Sequence, residues 1–226
     1  MLKVITFDAG NTLIRLCHPV GATYAAVAKR FGADLNPADL ERGFRTAWKT
    51  VPRLPDAPGP RPDDGRSWWR DVVLRTFEVA GAKVESFDPF FDAVYREFAL
   101  SGIWRLEPGA GELLKDLRPA GYRLGVISNF DLRLYDILKH LDVLNAFEHI
   151  VISSQVGADK PSPRIFEEAL KRFGVEPVEL LHVGDDEAAD GAGASALGLQ
   201  TFSLGFAGSG LNGLRERLAL TANQDK

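Results

Sequence analysis

Apolar residues in this chain follow two different rhythms. Short runs rich in aliphatic and β-branched residues occur at 4–7, 123–127, 150–152, 180–183 and 201–204, the pattern of strands buried on both faces of a parallel sheet. Amphipathic stretches at 111–117, 132–140, 163–173 and 188–196 fill the intervals. From about residue 106 onward the chain therefore alternates helix and strand, which predicts an α/β fold with a doubly wound, mainly parallel, Rossmann-like sheet. Between the first strand and residue 105 the rhythm changes. Helical periodicity recurs at 19–31, 37–49, 66–80 and 89–100 with no strand pattern, predicting an inserted helical cap. The expected domains are a core of 1–14 and 106–226 and a cap of 15–105. Five prolines in "VPRLPDAPGPRPDDG", residues 51–65, fix φ and remove backbone donors, so that stretch is read as loop.

Composition narrows the picture. A length of 226 residues suits one domain carrying a large insertion. Hydrophobic residues at 45% and charged residues at 26% lie in the globular range. A net charge of −4 gives no electrostatic reason to expect nucleic acid, so an anionic substrate has to be bound locally. The single cysteine, Cys17, excludes an intramolecular disulfide and a cysteine-built zinc site and fits a reducing compartment, with the cytoplasm as the expectation. The opening MLKVITFDAG lacks a long apolar h-region, and nowhere do ~18 apolar residues run together. Neither signal-directed export nor a membrane span is expected.

In an open parallel sheet, ligands bind beyond the carboxyl ends of the strands. Here those ends carry Asp8, Ser128 with Asn129, and Gly184 with Asp185 and Asp186; Lys160 lies before a helix that Pro163 is placed to start. Asp8 and Asp185 together can hold a hard cation such as Mg²⁺. With a phosphate so neutralised, Asp8 can attack as a nucleophile to give an aspartyl phosphate, while Lys160 and the Ser128 hydroxyl stabilise the transferring group. Asp190 can orient Lys160 or a metal-bound water. Taken singly, an Asp after a strand is more often a turn or cap residue, and a lone Lys a solvated charge.

Together, "FDAGNTL", "VISN", "KPSPRIF" and "HVGDDEAAD" resemble, in this order, the four motifs of the haloacid dehalogenase superfamily, with a helical cap after the first motif as in its subfamily I. Stretches such as "RLCHPVGATYA", "SWWRDVVLRTFEVAG" and "GVISNFDLRL" are similar to one narrower group of capped members. The resemblance covers almost the whole chain. It implies Asp8 as nucleophile, Ser128 as the phosphoryl-binding hydroxyl, Lys160 as the third-motif lysine, Asp185 and Asp190 as the fourth-motif acids, a Thr12 hydroxyl at the phosphate, and a small phosphorylated substrate.

One position departs from that pattern. The phosphatases carry Asp-x-Asp-x-Thr, whose second Asp protonates the leaving oxygen and then activates water; here that position is Gly10. Its backbone carbonyl remains available to a cation, and Asn11 tolerates the positive φ usual after it. Losing general acid–base help costs about 10²–10⁴ in rate, so the expectation is an impaired phosphatase or, alternatively, a non-catalytic phosphate- and metal-binding protein. Two other branches lack the same acid. Dehalogenases carry Ser-Asn where this chain has Gly184-Asp185, which argues against them. Phosphonate-cleaving members use a cap lysine, for which Lys29, Lys49 and Lys83 are candidates by location only. His18, before Pro19, could substitute as acid/base, though packing against the first cap helix is the plainer account. Cys17 has no activating partner in sequence, Trp68 and Trp69 read as cap packing, and His182, inside a buried strand, reads as structural.

Overall fold

The computed structural model describes residues 1–204 and 210–220. The final residues of the expected core span, 221–226, and the segment 205–209 lie outside the described residues. The chain divides into two compact units. The first comprises Met1–Arg15, Asp56–Arg61 and the residues from Arg105 onward; the second comprises Leu16–Pro55 and Pro62–Trp104. Residues 56–61, from the middle of the proline-rich loop, thus belong to the first unit, although the residues on either side of them in sequence belong to the second.

The first unit is an α/β layer structure. Its strands are β1 (Val4–Phe7), β4 (Arg123–Ser128), β5 (His149–Ile152), β6 (Leu180–Gly184) and β7 (Gln200–Ser203), in the order β5-β4-β1-β6-β7, every pair parallel. β1 is central and wholly buried, which is why it is apolar but for Thr6. Register places Thr6 opposite His182 and Phe7 opposite both Val126 and Val183. Helices α5 (Ala110–Leu117), α6 (Arg133–His140), α7 (Ser153–Val156), α8 (Pro163–Phe173), α9 (Gly193–Ser195) and α10 (Gly210–Arg217) connect or follow the strands. Pro163 opens α8 as its sequence position suggested, and Gly174 at φ 61° closes it. On one face of the sheet Ile165, Phe166, Ala169 and Phe173 of α8 pack with Val4, Ile127, Val151 and Leu180.

The second unit holds α1 (Val20–Arg30), α2 (Pro37–Thr50), α3 (Arg66–Ala80) and α4 (Phe87–Glu97). Asn36 caps α2 by accepting from the Ala38 N–H. Tyr24, Val27, Leu40, Phe77, Phe90 and Val94 form its main core. A smaller cluster gathers Ala47, Trp68 and Val72, with Trp69 packed against both. Trp48, Trp68 and Trp69 lie with ring centroids 4.9–5.8 Å apart, and the Arg53 guanidinium sits 4.2 Å from the Trp48 ring and 4.7 Å from that of Trp68. At the two ends of the insertion, short strands β2 (Ile14–Leu16) and β3 (Trp104–Leu106) pair with each other. Among the described residues no helix is long and apolar enough to cross a membrane.

Candidate active site

β1 ends at Phe7, and the Asp8 N–H still donates to the Val183 carbonyl at 2.8 Å. The chain then turns tightly, with Thr12, Leu13 and Ile14 all donating to the Ala9 carbonyl and Asn11 at φ 57°. Asp8 is thereby fixed at the carboxyl edge of the central strand. Ser128, the last residue of β4, donates its hydroxyl to Asp8 Oδ1 at 2.8 Å. Lys160 Nζ donates to the same oxygen at 2.6 Å. The ammonium also meets the Ile127 carbonyl at 3.0 Å and Asp190 Oδ1 at 2.5 Å, so each of its three protons has an acceptor. Burial pulls the Lys160 value down, but Asp8 and Asp190 together outweigh it and hold the amine above its usual range.

Asp190 reaches this position from a π-helical turn, Glu187–Ala192, where the expected α-helix has one extra residue per turn. Asp186 caps it by accepting from the amides of Ala188 and Ala189. Gly184, closing β6, makes room: a Cβ there would lie 2.1 Å from Asp190 Oδ2. Burial alone would raise the Asp190 carboxyl, yet the His182 hydrogen bond and the Lys160 charge hold it below the usual carboxylate range. His182 Nε2 is 3.0 Å from Asp190 Oδ1, and Nδ1 is 3.0 Å from Thr6 Oγ1. Desolvation pushes His182 down, toward the neutral ring. A carboxylate only accepts, so Nε2 carries the proton and Nδ1 accepts from Thr6. The sequence marked His182 as buried; its place under Asp190 follows from the Thr6–His182 register, which no local pattern encodes.

The other predicted residues fall around this buried chain of contacts. Asp185 is exposed. Partial desolvation, with Asp8 and Asp190 nearby, raises it to about 6, opposed by the Thr12 hydroxyl that donates to its Oδ1 at 3.2 Å. Thr12 therefore faces Asp185. Asn129 brackets the Lys160 backbone, its amide donating to the Lys160 carbonyl at 3.0 Å and its oxygen accepting the Lys160 N–H at 2.6 Å. Gly10 has nothing within 4 Å of an added Cβ, and its φ lies outside the left-handed region. His18 is exposed ahead of α1 in the second unit.

Carboxylate oxygens of Asp8, Asp185 and Asp190 lie within 4.8 Å of one another. Asp190 is already engaged by Lys160 and His182, which leaves Asp8 and Asp185 as the oxygen donors open to a hard cation. The raised Asp185 value reflects its partial desolvation first and the neighbouring Asp8 and Asp190 charges after it. A strand-end carboxylate that accepts from a lysine and a serine, beside a second acid just past the end of the neighbouring strand, has the donor set that nucleophilic attack on an anionic centre requires.

This architecture and its motifs define a hydrolase class, and the chain matches the haloacid dehalogenase-like hydrolase family over residues 2–198; it belongs to that family. It is 38% identical over 203 residues to the human haloacid dehalogenase-like hydrolase domain-containing protein 3, covering 89% of this chain and 81% of that protein. In fold it is similar to a HAD phosphatase from Thermococcus onnurineus, with a TM-score of 0.67, 20% identity and coverage of 98% and 100% of the two chains. It is similar also to the putative HAD-hydrolase YfnB from Bacillus subtilis, whose structure was determined bound to magnesium, with a TM-score of 0.71, 17% identity and coverage of 96% and 99%.

Proposed function

We propose that this hydrolase is a Mg²⁺-dependent phosphatase for a small phosphorylated compound, working through an Asp8 phosphoenzyme and lacking its general acid/base. The observation that carries the reading is the pairing of a prepared carboxylate with an empty position two residues on. Both donors to Asp8 fall on Oδ1, which leaves the other oxygen of the carboxylate unencumbered for attack on phosphorus. The P–O bond to the leaving group breaks as the Asp8–phosphorus bond forms, and Lys160 and Ser128 offset the charge on the transferring oxygens. Asn129 and Asp190 keep Lys160 in place. Mg²⁺ held by Asp8, Asp185 and the Gly10 carbonyl would neutralise phosphate charge when bound. Gly10 offers no proton to the departing alkoxide and no base to the water that later cleaves the aspartyl phosphate. Acyl phosphates, whose leaving group needs little protonation, are then turned over better than alkyl esters, and the phosphoenzyme accumulates.

A second reading rests on the same glycine: a protein that retains phosphate and metal without turnover. A panel of phosphate esters and acyl phosphates, with a metal-free control and the Asp8→Asn variant, separates the two. Turnover that falls by more than about 10³-fold in Asp8→Asn supports the enzyme. Silence across the panel, with no mass increment on Asp8 after exposure to an acyl phosphate, rules the phosphatase out in favour of the binding protein.

A further inference from the structure

The proline-rich segment lies within the insertion in sequence, yet Asp56–Arg61 packs in the first unit, against the loop that leads to Lys160. The Ala57 N–H donates to the Gly157 carbonyl and the Arg61 N–H to that of Ser154, each at 2.7 Å. From the other side Arg164 donates to the Ala57 carbonyl at 2.5 Å, and the Ser162 hydroxyl donates to Asp56 at 2.7 Å. The two backbones approach so closely that a Cβ on Gly157, itself at φ +76°, would sit 2.0 Å from the Gly59 carbonyl oxygen. Prolines at 58 and 60, where the strap bends, limit its alternatives.

Arg61 is the side chain this strap delivers. Only 8% exposed, its guanidinium forks onto both oxygens of Asp159, at 2.9 and 3.1 Å, and lies 3.5 Å from Ser153 Oγ. Asp159 immediately precedes Lys160, whose backbone Asn129 brackets. The Ser153 hydroxyl and the Ser154 N–H both donate to the carbonyl of Phe130, next to Asn129. Arg61 therefore ties together the two loops that meet at Asp8. A lysine has a long flexible stem, and Nζ here has to satisfy three acceptors at once, so the course of its backbone decides whether it arrives.

We propose that Arg61 is a positioning residue for Lys160, acting through Asp159. Only the kinetic arm of this proposal rests on the phosphatase reading. Its test is amide hydrogen exchange of Arg61→Met, which keeps the stem and removes the fork. The expected result is exchange of the Lys160 amide faster by about 10-fold or more, with the amides of β1 unchanged. In the kinetic arm, kcat for Asp8-dependent hydrolysis falls by about the same factor with KM little altered, since a misplaced charge weakens the transition state more than the ground state. Parent-like protection at Lys160 in folded Arg61→Met overturns the proposal, as does an equal loss of protection throughout β1, which would make Arg61 a general stabiliser. If Arg61→Met does not fold, Asp159→Asn preserves the shape of the partner and is judged by the same two criteria. A parent without turnover would end the phosphatase reading and leave the exchange result to decide the role of Arg61.

Discussion

Around Lys160 every proton has an acceptor inside the fold, whereas two residues beyond Asp8 the chain presents a glycine with nothing within 4 Å of where a side chain would begin. The first region is saturated and buried: Lys160, Asp190 and His182 hold one another through short contacts. The second is open and chemically blank. The difference separates two tasks that a hydrolase of this kind has to perform. On the phosphatase reading proposed above, holding a carboxylate and a transferring anion in place falls to the strand ends, and moving a proton at the leaving group to a side chain that Gly10 does not supply.

The largest effect is expected from breaking the saturated region. Lys160→Met leaves Asp8 and Asp190 facing each other in a buried site, and losing one partner of such a network costs about 3–5 kcal/mol. Urea unfolding followed by far-UV circular dichroism measures it. Asp190 is held below its ordinary range partly by Lys160, so that contribution is present at neutral pH and lost as the solution is acidified. The deficit of the variant is accordingly greatest well above pH ~4, the ordinary carboxylate region, and narrows below it as its Asp190 takes up a proton. A variant as stable as the parent at pH 7 would mean that the network is not coupled in this way.

Filling the blank region has the next largest effect. Gly10→Asp meets neither a clash nor a left-handed backbone, and turnover of alkyl phosphates should rise by about 10²-fold. Steady-state rates on one alkyl and one acyl phosphate sharpen the point, because the gain should be confined mainly to the ester. A folded Gly10→Asp protein that is no faster on either would show that the missing proton transfer is not what limits this site.

The smallest effect concerns the rim. Asp185 titrates at about 6 in the metal-free site, and a cation has to displace its proton. Mg²⁺ affinity should be level above that pH and weaken by up to about tenfold per unit below it, as read by calorimetry from pH 7.5 downward. In the absence of metal the sign for stability is the reverse of the usual carboxylate case. The folded-state value lies above the unfolded one, so Asp185 favours folding more once protonated and loses that contribution as the pH rises through about 6. A flat Mg²⁺ profile between pH 7 and 5 would remove Asp185 from the donor set.

Much of the first region was legible before the fold was known, because a rule about strand ends converts a pattern of apolar runs into a list of residues that meet. Asp8, Ser128 and Lys160 converge although 120 and 152 positions separate the last two from the first. Other features were hidden for identifiable reasons. Strands β2 and β3 are three residues each and carry arginines, too short to show a period. The π-helical turn differs from an α-helix by one residue of register, which composition does not display. Thr12 and Asn129 are polar residues at the right strand ends, but which partner each takes, Asp185 or the Lys160 backbone, depends on distances of less than an ångström. Arg61 was legible only as part of a proline-rich loop, since its partner Asp159 lies 98 residues away and nothing local announces an ion pair of that span.

The cluster of indoles in the helical unit has a consequence for anyone watching this protein unfold. All four tryptophans, at positions 48, 68, 69 and 104, belong to that unit, and three of them stand within 6 Å of one another with a guanidinium over two. Excited at 295 nm or so, where tyrosine is nearly silent, the chain emits from its insertion alone, with energy passing among neighbouring rings and the near-ultraviolet dichroism dominated by their coupling. Tryptophan emission is therefore blind to the parallel sheet, and a loss of signal on heating reports the melting of the helices whether or not Asp8 and Lys160 still face each other.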